Sequence, residues 1–193
     1  MDTIILASGS PRRRDLLVRV KVPFKVISPN LKEDLSPDIP VAETVAQLAR
    51  RKVEAVLEIF KTESPRWVVG ADTIVEVGGK ALGKASGPEE AEAMLKSLSG
   101  AVHRVYSGLA LSVERGLPIE VETVRTEVKF RALSPEELRF YVETGEWVGA
   151  AGAYRIQERG SFFVEWIKGS YSNVVGLPLE AFYGMLKRNS FRF

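Results

Sequence analysis

Three consecutive arginines, Arg12, Arg13 and Arg14, follow the small-residue turn Ser8-Gly9-Ser10-Pro11, and one aspartate, Asp72, interrupts the apolar run Trp67 to Val75. Each placement is costly without a partner. Ser10 in the N-cap position and Pro11 as the first helical residue put the arginines at the positive end of a helix. There each cation is unfavourable by roughly 0.3 to 1 kcal/mol. A bound anion offsets that cost: the backbone N–H groups of a first helical turn point at such a ligand, and planar guanidinium forks match phosphate oxygens. A solvated basic turn explains the arginines equally well from this segment alone. Asp72 is expensive to bury unless it is hydrogen-bonded, ion-paired or bound to a metal; an acid that merely caps a turn is the competing reading.

Glu33 and Asp34 follow a second strand-like run, Lys52 lies in a long helical segment, and Lys84 follows a hairpin. Each lysine alone reads as a solvated side chain. Carboxylates accompanied by arginine and lysine, with no cysteine and one histidine, suit a hard divalent ion such as Mg²⁺ or Mn²⁺ shared with phosphates, and not zinc. Neither a Walker-type loop nor a dinucleotide-binding glycine fingerprint occurs, so a phosphate site here is of another kind. His103, in a strand-like run, is assigned no chemical role.

These residues need a scaffold. The 193 residues, 45% hydrophobic and 27% charged, fit one globular domain over residues 1–193. With 27 basic against 25 acidic residues, a net charge of +2, there is no global basic field to demand nucleic acid or an anionic membrane. No apolar stretch approaches a membrane span, no basic leader precedes the first strand, and cysteine is absent, which together lead us to expect a cytoplasmic protein.

Thr3 to Ala7 reads as a buried strand, followed by a helix that runs to about Lys21 with Leu16, Leu17 and Val20 on its apolar side. Phe24 to Ser28 reads as a second strand. Val41, Val45, Leu48, Ala49, Val53, Val56 and Leu57 recur at helical spacing. A strand through Asp72 then turns at Gly78-Gly79, and a helix follows Gly87. Strand signals dominate from His103 to Arg131. Between Ile119 and Phe130 the apolar parity changes, and a bulge near Thr123 would reconcile the two phases. Ser134 and Glu137 form a capping box for a helix that stops at Gly145. Strand-like runs around Tyr154 to Ile156 and Phe162 to Ile167 precede a last helix that starts at Pro178 and turns Leu179, Phe182 and Leu186 inward. This alternation predicts an α/β fold with a mixed sheet wrapped by helices.

Four segments, LASGSPRRRDLL, GADTIV, AGAYRIQ and GSYSNVVGLPL, resemble in order the signatures of the Maf family of nucleotide pyrophosphatases. The resemblance covers nearly the whole chain. It implies a Maf or ITPase-like fold, a strongly twisted mixed sheet in two lobes with a central cleft. It also implies hydrolysis of a nucleoside triphosphate to monophosphate and pyrophosphate with a divalent metal, a house-cleaning role, and a link to septum formation.

Carried onto this sequence, it implies catalytic Asp72, Glu33, Lys52 and Lys84, with Asp72 and Glu33 as metal ligands. It implies substrate contacts from Ser8, Ser10, Arg12, Arg13, Thr73 and Gln157, while Ser170 and Asn173 shape the cleft. Arg12, Thr73 and Gln157 match the branch acting on dTTP and UTP. The Gln157 amide offers the donor and acceptor that the O4 and N3–H edge of thymine or uracil requires. The chain departs from the pattern at Gly149 and Ala150, where an acid and a lysine are usual, at Arg155 in place of glycine, and at Lys32 and Ala85. The expected function is therefore a dTTP and UTP pyrophosphatase, acting alone or as a homodimer, without nucleic acid or membrane partners. The alternative is a non-catalytic nucleotide-binding regulator of cell division. A nucleic-acid-binding module is a weaker third reading.

Overall fold

The computed structural model describes residues 2–29, 31, 39–60 and 65–193. Its elements run β1 (Ile4–Ala7), α1 (Pro11–Arg19), β2 (Phe24–Val26), α2 (Val41–Ile59), β3 (Val68–Val77), β4 (Lys80–Leu82), α3 (Pro88–Leu98), β5 (Val102–Ser112), β6 (Glu120–Phe130), α4 (Pro135–Glu143), a 3₁₀ turn (Arg159–Phe163), β7 (Val164–Lys168), α5 (Tyr171–Val175) and α6 (Leu179–Arg188). The seven strands form one mixed sheet in the order β2-β1-β3-β5-β6-β7, with β4 folded back on β3. β1 is parallel to both its neighbours, and the rest of the sheet is antiparallel. This agrees with the expected α/β class. Among the described residues no helix is long and apolar enough to cross a membrane.

Helices cover both faces. α1, α3, α4 and α6 contribute Leu17, Leu95, Tyr141 and Leu186 to the larger core, while α2 packs Ala49, Val53 and Val56 against Ile5, Val68 and Ala110 on the opposite face. α2 lies unusually close to the sheet because two strand residues have no side chain. A Cβ at Gly70 would fall 2.4 Å from the Ala49 carbonyl oxygen, and one at Gly108 2.1 Å from that of Val45. Asp72 is registered opposite Gly108, so the same close approach carries the middle of α2, with Lys52, over the carboxylate.

Several sequence expectations need correction. No bulge exists near Thr123: β5 and β6 keep one register from Val102↔Lys129 to Leu111↔Glu120. Ile119 and Val121 instead pack toward α2, and Val124, Val128 and Phe130 toward the larger core, so the parity change reports two covered faces of one regular strand. Tyr154 to Ile156 forms no strand. That segment follows Gly152 and Ala153, both at positive φ, which breaks extended pairing. Tyr171 to Val175, to which the sequence reading assigns no element, is helical. α1 ends two residues earlier than expected, and Val20 is exposed, while Arg13 takes the inward position beside Leu16 and Leu17. The capping box at Ser134 and Glu137 is present with both reciprocal bonds, and the Gly78-Gly79 turn has positive φ at both residues, as such hairpins require.

Candidate active site

β1 ends at Ala7 and releases the chain into Ser8-Gly9-Ser10, so the first turn of α1 meets the middle of β3 across a cavity of about 400 Å³. Arg12, Arg13, Lys52, Asp72, Thr73, Lys84 and Gln157 all line it, with Ser8 and Ser10. The cations at the helix start and the acid in the apolar strand, separated by sixty residues, therefore share one space. Glu33, Lys32 and Asp34 lie outside the described residues.

On the floor, Lys52 Nζ donates to Asp72 Oδ1 at 2.5 Å, and more weakly to the Ala71 carbonyl at 3.4 Å. Both side chains are more than nine-tenths buried. The apolar setting of Asp72 is thus resolved by an ion pair, one of the three solutions the sequence permitted.

Arg13 is buried and acts as a strut. Its Nε donates to the Gly176 carbonyl at 2.7 Å, and its two terminal nitrogens donate to Ser8 Oγ at 2.9 Å and Thr73 Oγ1 at 3.1 Å. One guanidinium thereby ties α1 to the end of β1, the middle of β3 and the end of α5. Behind it, Thr73 Oγ1 and Ser107 Oγ are 2.8 Å apart, and Ser107 Oγ donates to the Asn173 carbonyl at 3.2 Å. The Thr73 hydroxyl accepts from Arg13, and either hydroxyl of the Thr73–Ser107 pair can donate to the other. Ser107, fully buried on β5, was not singled out from the sequence; one serine among strand residues gives no signal until its partners are known.

Ser10 occupies the N-cap position of α1, but its side chain makes no cap bond. Its backbone N–H donates instead to Ser8 Oγ at 3.3 Å. Ser170 and Asn173 do not line the cavity. Ser170 Oγ caps α5 by accepting from the Asn173 N–H at 3.2 Å, and Asn173 Nδ2 donates to the Val105 carbonyl and Thr126 Oγ1 at 3.1 and 3.0 Å. They anchor α5 to β5 and β6 and so place Gly176 against Arg13. Lys84 pairs with Ala151 as an isolated β-bridge, which joins the hairpin return to the opposite wall. Gln157 sits in that wall with its Oε1 buried and unbonded.

Along the described lining, Asp72 is the one acid against Arg12, Arg13, Lys52, Lys84 and Arg155. The described lining therefore carries an excess of positive charge. Arg12 is pushed down to about 10, first by burial and then by the neighbouring Arg155 and Arg13 charges. It stays cationic at neutral pH, in a field that an anion would relieve.

His103 lies behind the cavity wall, fully buried, with Nε2 2.9 Å from the Tyr154 hydroxyl. Burial pushes its pKa down to about 4. Because the folded state resists protonation that the unfolded state accepts near 6.5, this neutral ring contributes stability above that pH and loses it as pH falls toward 4. Between pH 7.5 and 4.5 His103→Gln should therefore lose roughly 2 kcal/mol less stability than the wild type, measured by urea unfolding at both values. Equal losses would exclude His103 as the source.

A family model described as Maf-like protein matches residues 3–189. The dTTP/UTP pyrophosphatase of Pelotomaculum thermopropionicum is 42% identical over 188 residues, 97% of each chain. That of Thermococcus kodakarensis is 46% identical over 177 residues, 92% of each chain. Among solved structures, the Staphylococcus aureus Ham1 protein aligns with 67% of this chain and 72% of its own at 18% identity and a TM-score of 0.43.

Proposed function

The chain belongs to the Maf-like protein family, and from that membership we propose that it hydrolyses dTTP and UTP to the monophosphate and pyrophosphate in the cytoplasm. The observation that carries this reading is the buried Asp72–Lys52 pair on the floor of a cavity whose other charged residues, among those described, are cations. A triphosphate carries the charge that such a cavity can answer, and its α-phosphorus needs an acceptor for the proton of the attacking water. Asp72 takes that proton as the water oxygen bonds to the α-phosphorus. The bond from the α-phosphorus to the bridging oxygen breaks, and pyrophosphate leaves with the electron pair. Lys52, Lys84, Arg12 and Arg13 stabilise the charge that develops on the leaving group.

The residues fit a divalent metal in one manner. Among the described residues no group of three metal-ligating side chains exists, whereas Asp72 supplies a hard carboxylate oxygen at a phosphate-binding cavity. Mg²⁺ commonly binds through one or two carboxylates together with substrate phosphates. Asp72, with Glu33, would hold such an ion or Mn²⁺, which supplies charge neutralisation on the phosphate oxygens when bound. Gln157, which lines the cavity, is the residue that reads the pyrimidine edge, its amide supplying the acceptor and donor that N3–H and O4 require.

Incubation of the purified chain with a panel of nucleoside triphosphates and Mg²⁺ or Mn²⁺, followed by pyrophosphate release, tests the reading. We expect dTTP and UTP to be turned over roughly a hundredfold faster than ATP, since a site built around a polar base edge penalises the wrong edge strongly. Nucleotide binding without pyrophosphate release would favour the regulator instead.

A further inference from the structure

The wall segment that carries Gln157 is not held by the sheet. Gly152 and Ala153 leave extended geometry at φ values of +66° and +58°, and Tyr154 to Ile156 follow outside any strand. Two phenol hydroxyls fix the segment instead. The Arg155 N–H donates to the Tyr141 hydroxyl at 3.0 Å, which ties it to α4. One residue earlier, the Tyr154 hydroxyl lies 2.9 Å from His103 Nε2, which ties it to β5. Tyr154 and Gln157 both line the cavity, and His103 lies fully buried behind them.

Histidine is a costly choice for that place. Its ring packs edge to face on Phe130 and Tyr154, with centroids 4.8 and 5.4 Å away, and Phe130 meets Tyr154 at 4.8 Å. An apolar side chain of similar volume would fill the same space. The imidazole instead buries Nδ1 with no hydrogen-bond partner among the described residues, which is unfavourable. Burial keeps the ring neutral, so it contributes no charge to the cavity. Its one side-chain hydrogen bond among the described residues goes to Tyr154, a residue of the cavity wall.

The wall matters because of what Gln157 reads. An amide meets uracil or thymine with its N–H toward O4 and its carbonyl toward N3–H; turned over, it meets the amino group and N3 of cytosine equally well. Discrimination therefore depends on how firmly the wall fixes the amide against the base. We propose that His103 is a positioning residue: through the Tyr154 hydroxyl it fixes the wall segment that carries Gln157, and so sets the preference for uracil and thymine over cytosine. The proposal rests on the pyrimidine reading of Gln157, and its test reads binding of monophosphates without turnover.

Calorimetric titration of the purified chain with UMP and with CMP, at fixed Mg²⁺, gives a ratio of affinities that should favour UMP in the wild type. Tyr154→Phe keeps the ring and removes the hydroxyl, and should lower that ratio roughly fivefold, the scale of one hydrogen bond. His103→Leu should do the same. His103→Gln should keep the ratio within about twofold of wild type, because its amide places a donor or an acceptor where Nε2 stood. Inorganic pyrophosphate has no base, and its affinity should stay within about twofold in every variant, which damage to the whole site would not allow. If His103→Leu does not fold, Tyr154→Phe decides. A wild-type ratio in Tyr154→Phe, with Gln157→Ala losing it, overturns the proposal and leaves the reading of Gln157 standing. A wild-type ratio in Gln157→Ala overturns that reading and the proposal with it.

Discussion

Asp72→Asn is expected to lower pyrophosphate release from dTTP and UTP by about a thousandfold while leaving triphosphate binding intact. General-base contributions run from about a hundredfold to ten-thousandfold, and two features place Asp72 in that range. It is the one acid in the described lining of the cavity, so no neighbouring carboxylate in that lining can take over the proton. It is also fixed by Lys52 at 2.5 Å, so its position is set before substrate arrives. Asparagine is nearly isosteric and its carbonyl can still accept from Lys52, which keeps the floor in place. Removing a negative charge from a cationic cavity does not weaken an anion's affinity. Binding of UTP measured by calorimetry without divalent metal should therefore be unchanged or tighter. The variant leaves the Lys52 ammonium buried beside a neutral group, and we expect a stability loss of about 1 to 3 kcal/mol. Rates must accordingly be normalised to folded protein. Normal turnover by the folded variant would remove Asp72 from the mechanism.

The sequence made the site's chemistry legible wherever a residue stood in a place that a stable fold ordinarily avoids. Arginines at the positive end of a helix and an aspartate in an apolar strand are both costly, and both face the cavity. Helix boundaries were legible where local chemistry sets them, as at the Ser134 and Glu137 capping box. The misses share a different cause. The parity change in β6 was ambiguous because helices cover the two faces of that strand at different points along its length, which only tertiary packing decides. Tyr154 to Ile156 has strand-like composition, but positive φ at Gly152 and Ala153 redirects it into the cavity wall. The roles of Ser107 and Asn173 are hydrogen bonds between residues far apart in the chain, which no local pattern encodes, whereas Ser170 caps α5 locally through the Asn173 N–H.

Arg13 shows how binding and structural duties meet in one side chain, and its removal should have the largest effect on stability. Read from the sequence, it is a phosphate ligand beside Arg12. In the fold it is buried and donates to Gly176, Ser8 and Thr73, which lie on three separate segments of the cavity wall. Arg13→Ala removes those donors together and leaves a void in their midst. Buried acceptors without partners cost about 1 to 3 kcal/mol each, offset where water can enter, so a net loss of about 3 kcal/mol is expected in urea unfolding. Arg13→Lys separates the charge from the fork. One ammonium cannot span three acceptors that a planar guanidinium reaches at once, and we expect about half of that loss to remain. Because Arg13 lines the cavity and holds Thr73 beside it, both variants should also turn over dTTP more slowly per folded molecule. A lysine variant as stable and as active as wild type would show that the charge alone matters and that the three-way strut does not.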